Sequence, residues 1–289
     1  MTTKLMFPLS FSFLLFTLLP WQPMKQNKPA PQPEPPTPFY EPCANSNYTF
    51  QSGEQLTYKI YYNLNFIWVP AGEVTFKVFD EGNQYHYQAK GRTYDSYEWF
   101  FVVEDDYDSW VDKNTLLPNY SERSIHEGDY KIFEKVAFNQ SARSTSVWRS
   151  EKRGAAEKRT DHGTKGCVHD VLSILYSLRN IEFGTQNAGY TVPFAVFMDQ
   201  EEYPLKMRYM GKERKKVYGH GRYNTLKFQP DVLAGNVFDE DTKMSVWVSD
   251  DQNRIPLMIE SPVSVGSVKM VIKEYNGLKY DFKAKAEKQ

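Results

Sequence analysis

Apolar and polar side chains alternate in Leu56-Thr57-Tyr58-Lys59-Ile60-Tyr61-Tyr62, near the start of the folded part of the chain. Successive side chains of a β-strand point to opposite faces of a sheet, so this period of two is typical of a strand. The pattern returns in 74–79, 85–89, 131–138, 144–148, 191–198, 205–209, 215–218, 244–248, 257–259 and 268–275. Turn-forming residues separate the runs at 81–83, 127–129, 218–221 and 250–253. The sequence therefore predicts a mainly β fold with a single large antiparallel curved sheet, either an incomplete barrel or a sandwich.

One stretch follows a helical period instead. Val171, Ile174, Leu175 and Leu178 recur at intervals of three and four residues. We predict one helix over about 168–180. A helix this short is marginal alone, so its apolar face is expected to cover a face or mouth of the sheet.

Two segments share the order Trp-Val, turn, proline. Trp110-Val111 precedes Pro118, and Trp247-Val248 precedes Pro256. We interpret each as a hairpin in which the tryptophan fills the core and the proline begins the return strand, where its missing N–H costs least. Two equivalent hairpins fit a sheet assembled from two halves, while a chance similarity is the alternative.

Residues 1–24 are typical of an export signal. Lys4 precedes an apolar run from Leu5 to Leu19, shorter than the roughly 18 residues of a membrane-spanning helix. No A-x-A cleavage site follows, so cleavage and retention as a short anchor both stay open. We predict an exported protein of the periplasm or envelope, with membrane contact only through an uncleaved amino terminus.

Prolines occupy positions 29, 31, 33, 35, 36, 38 and 42. Each proline fixes φ and removes an N–H, so residues 25–42 are predicted to be a disordered Pro-rich linker. The linker is either a stalk or a leader with no role of its own. A single β-rich domain is expected over 43–289.

The chain has two cysteines, Cys43 and Cys167. In an oxidising compartment a lone pair of cysteines commonly forms a disulfide. We predict a bridge that pins the end of the linker to the core, and the alternative is two free thiols.

Charge and motifs exclude several function classes. The chain has 35 Lys and Arg against 36 Asp and Glu, whereas nucleic-acid-binding domains carry a basic excess, so no nucleic-acid partner is expected. No complete cofactor motif occurs, and we expect no cofactor. Residues 161–170 include two His, one Cys and two Asp but no second paired set of zinc ligands. We interpret this segment as a loop-to-helix junction, with a metal site or a cysteine nucleophile as the alternatives.

A basic segment extends from Lys206 to Lys227. On alternating positions of a strand its side chains would form one basic face. The partner of that face would be an envelope lipid, an anionic glycan or another envelope protein, and the alternative is a solvated edge strand kept from aggregating by its lysines. The predicted ligand- or anion-binding residues are Lys206, Arg208, Lys212, Arg214, Lys215, Lys216 and Arg222.

Acidic and aromatic clusters have simpler interpretations. The acidic runs at 104–108 and 239–241 lack EF-hand spacing and are interpreted as solvated turns. An apolar loop at 65–73 and an aromatic stretch either line a ligand groove or belong to the core, and we favour the core. The aromatic residues are Tyr94, Tyr97, Trp99, Phe100 and Phe101.

Several short motifs together carry a family resemblance. They are Gly53-Glu54-Gln55-Leu56-Thr57-Tyr58, Ala71-Gly72-Glu73-Val74, Glu127-Gly128, Asp170-Val171-Leu172, Trp247-Val248-Ser249-Asp250-Asp251, Arg254-Ile255-Pro256-Leu257 and Gly266-Ser267-Val268. Over roughly residues 50–282 the chain resembles the exported bacterial family catalogued as domain of unknown function 3108. The resemblance implies a β-rich domain in the periplasm or envelope of a Gram-negative bacterium, and it supplies no catalytic residues.

Two function classes follow. The first is a non-enzymatic envelope protein that binds an apolar or amphipathic ligand or acts as a scaffold. The second is an envelope glycan hydrolase or lyase, in which Asp106 or Asp108 would face Asp250 or Asp251 as acid and base. A cavity in the sheet would favour binding, and carboxylates facing one another across a cleft would favour catalysis.

Overall fold

The computed structural model describes Cys43 and residues 45–64, 67–98, 102–183, 186–231, 243–263 and 266–286. The predicted export signal at 1–24 and linker at 25–42 lie outside these residues, as do 239–241 and Trp99 to Phe101. The described strands are β1 (Gln55–Leu64), β2 (Ile67–Glu81), β3 (Gln84–Thr93), β4 (Glu104–Asp112), β5 (Pro118–Glu127), β6 (Tyr130–Asn139), β7 (Ser144–Ser150), β8 (Lys158–Gly163), β9 (Thr191–Met198), β10 (Glu201–Val217), β11 (Gly221–Pro230), β12 (Ser245–Ser249), β13 (Pro256–Pro262) and β14 (Ser267–Asn276). The described helices are α1 (Asp95–Glu98) and α2 (Val171–Arg179).

All these strands belong to one antiparallel sheet, in the order β8-β7-β6-β5-β4-β3-β2-β1-β14-β13-β12-β11-β10-β9. Strands β1 to β8 form one meander and β9 to β14 a second, and pairing of β1 with β14 joins them. The predicted antiparallel, mainly β fold is confirmed. Among the described residues, no helix has the length and apolar character needed to span a membrane.

The two ends of the sheet meet through side chains. Thr160 Oγ1 on β8 donates to Gln200 Oε1 at 2.9 Å, and Arg149 on β7 pairs with Asp199 at 2.7 Å. Asp199 and Gln200 connect β9 to β10. Contacts between opposite ends of one sheet require the sheet to curl, so the described strands form an incomplete barrel.

Helix α2 begins at Val171, later than predicted. The Asp170 carboxylate accepts hydrogen bonds from the backbone N–H groups of Leu172 and Ser173, and the Asp170 N–H donates to Ser173 Oγ, which completes a capping box. The preceding His169 is extended because its backbone bonds to Ala195 and Phe197 on β9. That bridge to the sheet fixes the start of the helix.

The helix covers the inner face of the sheet, as predicted. The Tyr176 ring on α2 stacks on Tyr87 of β3 with 4.1 Å between the ring centroids. Phe50 packs edge-on against both rings. Interlocked rings of this kind bury large apolar areas, so this side of the helix is closely packed.

The strand pattern corrects three expectations. Residues 104–108 lie in β4, where the side chains of Asp105 and Tyr107 are buried, so this acidic run is not a solvated turn. Most of the expected loop at 65–73 is strand, because β2 begins at Ile67. The runs at 205–209 and 215–218 are one strand, β10, joined across a β-bulge between Tyr209 and Gly211.

Both tryptophan hairpins are present, as β4–β5 and β12–β13. Pro118 and Pro256 begin the return strands, as predicted. The Trp247 side chain is buried. Trp110 is only half-buried and stacks on His86 of β3 with 4.5 Å between the ring centroids, so this tryptophan does not fill the core.

Candidate functional site

A cavity of about 140 Å³, here called the apolar cavity, lies between α2 and the sheet, mainly the second meander, with Leu56, Tyr58 and Phe76 of the first meander on its border. Its volume is close to the roughly 150 Å³ of an engineered cavity that holds benzene. The charged residues on its boundary are Arg179, Asp231 and Arg254, and apolar surface forms nearly all of its wall. That wall includes Tyr58, Ile174, Leu175, Leu178, Phe194, Met207, Leu226, Phe228, Val246, Val248, Ile259 and Met270.

Local sequence explains why this side of the helix is open. Val246 and Val248 alternate with Trp247 on β12, so both valines face α2, while the buried indole lies on the opposite face of the sheet, under Lys215. Valine is short, and the facing Leu175 is an aliphatic side chain without a ring. On the packed side the Tyr87 ring fills the space next to Tyr176, whereas the β12 side chains that line the cavity carry no ring.

A second cavity of about 260 Å³, here called the polar cavity, lies beside the same helix. It is bounded by α2, β9, the β4–β5 turn and the Cys43–Cys167 disulfide, whose Cα atoms are 5.6 Å apart. Asn45 Nδ2 donates to the Ser177 carbonyl at 2.9 Å on its wall. The carboxamide oxygen of Asn180 accepts from the Tyr48 N–H at 2.6 Å. Hydrogen-bonding groups thus make up much of this boundary.

His169 also lines the polar cavity. Its Nδ1 lies 3.0 Å from Ser173 Oγ. Burial lowers the pKa of the His169 imidazole to about 4, so the ring is neutral at physiological pH. The sequence indicated neither of the two cavities, and it did not place His169 in the wall of one. Both features depend on how β9 packs against α2.

Three side chains line both cavities: Ile174 and Leu178 on α2, and Phe194 on β9. Ile174 and Leu178 are four residues apart and therefore share one stripe of the helix. We call these three side chains the partition. It separates the apolar cavity from the polar one.

A buried ion pair holds the carboxyl end of α2. Arg179 donates to both oxygens of Glu54, at 2.6 and 2.9 Å, and to the Asn253 carbonyl at 2.9 Å. The Glu54 and Arg179 side chains are 0% and 5% exposed. The sequence did not indicate this ion pair, because Glu54 lies 125 residues away from Arg179.

The bulge in β10 divides the predicted basic face. Directly opposed residues of an antiparallel pair point to the same side, and Lys212 opposes Leu226 while Arg208 opposes Gln229. Lys212, Arg214, Lys216 and Arg222 therefore share the side of Leu226, and Lys206, Arg208 and Lys215 lie on the other. Lys212 pairs with Asp250 at 2.9 Å, and Lys215 Nζ lies 3.5 Å from the centroid of the Trp247 ring. Anion binding by these residues stays a prediction.

The four candidate acid–base carboxylates have separate partners. Asp106 pairs with Arg92 at 2.8 Å, and Asp108 lies 2.7 Å from His86 Nε2. Asp250 pairs with Lys212, while Asp251 Oδ1 accepts backbone hydrogen bonds within the β12–β13 turn. None of the four lines the apolar or the polar cavity. This arrangement does not bring a pair together across either cavity.

The residues of 161–170 also have structural partners. Asp161 pairs with Arg159, His162 bonds to Thr160, and Asp170 caps α2. Within the described part of the chain, no group of three or more His, Cys, Asp or Glu side chains is placed to hold a metal ion.

One solved structure shows the same kind of fold. A β-barrel-like protein of domain of unknown function DUF1849 from Brucella abortus is similar with a TM-score of 0.51 and 9% identity, over 79% of this chain and 98% of that one. A protein with a YmcC-like fold from Bacteroides fragilis gives a TM-score of 0.31 and 8% identity, over 81% of this chain and 100% of that one. No curated protein matches the sequence significantly.

The family model described as protein of unknown function, DUF3108, matches residues 57–273. The match runs from β1 to β14 and includes α2 and both hairpins. The chain therefore belongs to the DUF3108 family.

Proposed function

We propose that the protein is an exported, non-enzymatic binding protein of the cell envelope, and that its apolar cavity takes an acyl chain or a similar apolar group. The apolar cavity carries the proposal. Protein interiors are normally close-packed, so an unfilled apolar space forgoes packing contacts and the stability that they would add. A ligand that fills the cavity would recover that stability.

The amino-terminal sequence and the cysteines support the envelope location. Residues 1–24 have the pattern of an export signal. The Cys43–Cys167 bridge suits an oxidising compartment, where disulfides persist. An envelope binding protein would meet acyl lipids in that compartment.

The first experiment looks for a natural ligand. The protein is purified from its native envelope without detergent, and the molecules released on denaturation are identified by mass spectrometry. We expect an acyl-containing compound in stoichiometric amount. Protein without such a compound, and without affinity for monododecanoylglycerol, would contradict the proposal.

A pair of variants locates the binding. Val246→Phe places a ring in the apolar cavity, whereas Val268→Phe makes the same change on β14 at a half-buried position outside its wall. We expect the first variant to lose the bound compound and the second to keep it. Equal retention by the two variants would place the ligand elsewhere.

A further inference from the structure

The apolar and polar cavities lie on opposite sides of the partition. Phe194 is its one member from the sheet, and its ring is only half-buried. The other two members, Ile174 and Leu178, belong to the helix. A side chain that is partly solvent-accessible is less restrained by packing, so Phe194 can turn aside while the helix stays in place.

The two cavities differ in chemistry. Apolar surface dominates one, whereas the wall of the other includes Asn45, Thr115, His169, Ser177 and Asn180. An apolar compartment next to a hydrogen-bonding one matches a molecule with a chain at one end and a polar head at the other.

Charge limits the kind of head that the polar cavity can take. Its described wall contains no Lys or Arg. Its one acidic side chain, Glu182, is paired with Arg254 at 2.6 Å. A phosphate or carboxylate moved into this cavity would lose its hydration, and the neighbouring Arg254 is already paired with Glu182, so the transfer is costly. Hydroxyl groups, in contrast, can exchange water for the amide, hydroxyl and imidazole groups on the wall.

Size points the same way. Ligand pockets usually measure roughly 300–1,000 Å³, and each cavity alone is smaller than that. The two cavities joined past Phe194 fall within that range.

We propose that the two cavities form one site for a neutral amphipathic lipid, with its acyl chain in the apolar cavity and a hydroxyl-bearing head, such as glycerol or a sugar, in the polar cavity. This inference rests on the proposed function and names its ligand class. Phe194 is the position that the ligand displaces when it spans both cavities.

The test uses the full chain and four probes. Benzene reports on the apolar cavity alone. Monododecanoylglycerol and dodecyl glucoside carry neutral heads of two kinds, and dodecanoate carries an anionic one. We expect both neutral lipids or one of them to bind, and dodecanoate to bind at least about tenfold more weakly. The contrast between glycerol and glucoside distinguishes the two sources of a hydroxyl-bearing head.

Two variants separate the cavities. Ile181 lines the polar cavity alone, and Ile181→Trp fills it, whereas Val246→Phe fills the apolar cavity. If the two cavities form one site, Ile181→Trp lowers the affinity for the neutral lipid at least about tenfold but leaves benzene binding unchanged. Retained benzene binding also shows that the variant is folded. Val246→Phe loses the binding of both the neutral lipid and benzene. Should Ile181→Trp fail to fold, Thr115→Trp fills the polar cavity from its opposite wall.

A large buried ring outside both cavities provides the control. Phe138 packs against Phe197 with 6.2 Å between the ring centroids and lines neither cavity, so Phe138→Trp should leave all affinities unchanged. Unchanged lipid affinity in Ile181→Trp, or stronger binding of dodecanoate than of both neutral lipids, would overturn the inference and leave the proposed function intact. Failure of every probe to bind would overturn the inference and, together with the absence of a co-purified acyl compound, the proposed function as well.

Discussion

The hairpins β4–β5 and β12–β13 are the same structure built twice. Each has a β-bulge between its tryptophan and the next valine, at Trp110/Val111 and Trp247/Val248. Leu116 and Arg254 stand two places before the prolines of their hairpins. Both have a positive φ, 55° for Leu116 and 48° for Arg254. Each indole N–H donates to a glutamate two strands away, Glu81 on β2 or Glu213 on β10.

The hairpins differ in the side chains that flank the tryptophan on the inner face. The first has Ser109 and Val111, both fully buried. The second has Val246 and Val248, which line the apolar cavity. Ser109 Oγ donates to the Asp170 carboxylate at 2.5 Å, and this bond ties β4 to the start of α2. Val246 has no polar group to form such a bond, and space remains between the helix and β12.

The second hairpin holds the other end of the helix. Its turn offers the Asn253 carbonyl to Arg179, and Arg254 donates to the Ile181 carbonyl at 2.5 Å. Two locally equivalent hairpins thus fix the two ends of one helix and differ in how they pack along it. Local sequence rules set the geometry of a hairpin, and the residues across from it decide whether a cavity forms.

The largest effect is expected from removing the buried ion pair at the carboxyl end of α2. Arg179→Met leaves Glu54 buried without its cation and should lower the free energy of unfolding by about 3–5 kcal/mol. Urea denaturation measures this change. Arg159→Met is the control, because its partner Asp161 is exposed, and it should cost less than about 1 kcal/mol.

A double variant tests the cause of that loss. Glu54→Leu combined with Arg179→Met removes both charges, so it should be less destabilising than Arg179→Met alone. A double variant that is at least as unstable as the single one would show that packing, and not an unpaired charge, explains the effect.

The hold on the amino end of α2 should be weaker. Ser109→Ala removes one donor from the buried Asp170 carboxylate, which keeps its bonds to Leu172 and Ser173. We expect a loss of about 1–3 kcal/mol in urea denaturation. Ser146→Ala removes an equally short bond to the exposed Asp161. Equal losses in the two serine variants would show that burial does not strengthen the Ser109 contact.

Repetition along the chain made much of this fold predictable. The period of two identified most strands, and the Trp-Val and Pro positions identified both hairpins. The period of two missed β4, β5, β8 and β11 because polar residues occupy many of their positions, and the tryptophan hairpin motif alone indicated β4 and β5. Asp105 and Arg123, for example, are buried in ion pairs or hydrogen bonds that only the folded sheet supplies.

The site was less predictable, for physical reasons. A cavity is space between side chains, so it depends on how α2, β9 and β12 meet and not on a motif in any of them. The division of the basic residues between two sides of the sheet was also not predictable, since one bulge between Tyr209 and Gly211 reverses the sides of all later residues in β10. A single glycine at a positive φ, Gly211 at 102°, is the sequence signal closest to that bulge.

Two carboxyls on β4 should respond to pH in opposite directions. Burial, together with the neighbouring Glu127 carboxylate, raises the pKa of Asp105 well above its ordinary value. Burial acts in the same direction on Asp108, but the hydrogen bonds with His86 and Gln88 outweigh it and lower the pKa of Asp108. Asp105 therefore lowers the free energy of unfolding as the pH rises above about 4, at most by about 1.4 kcal/mol per pH unit. Asp108 raises the free energy of unfolding above that pH, and this contribution is lost as the pH falls through its lowered pKa.

Asparagine variants isolate the two contributions. As the pH rises from about 4, Asp105→Asn should become more stable relative to the original protein, and as the pH falls toward about 3, the loss of stability in Asp108→Asn should shrink. Thermal unfolding across that range measures both differences. If the stability difference of Asp105→Asn did not change with pH, or changed in the opposite direction, the contrast between the two carboxyls would be wrong.

The smallest effect is expected from one methylene added to each hairpin at equivalent positions. Val111→Ile adds it to the closely packed side, where overpacking should cost about 1 kcal/mol or more. Val248→Ile adds it to the wall of the apolar cavity, where filling empty space should gain about 0.8 kcal/mol. Because the two valines occupy matching sites beside matching tryptophans, strand propensity cancels, and the opposite signs report the packing alone. Losses of equal size at both positions would mean that the second hairpin is as fully packed as the first, and the cavity would then have no room for a ligand.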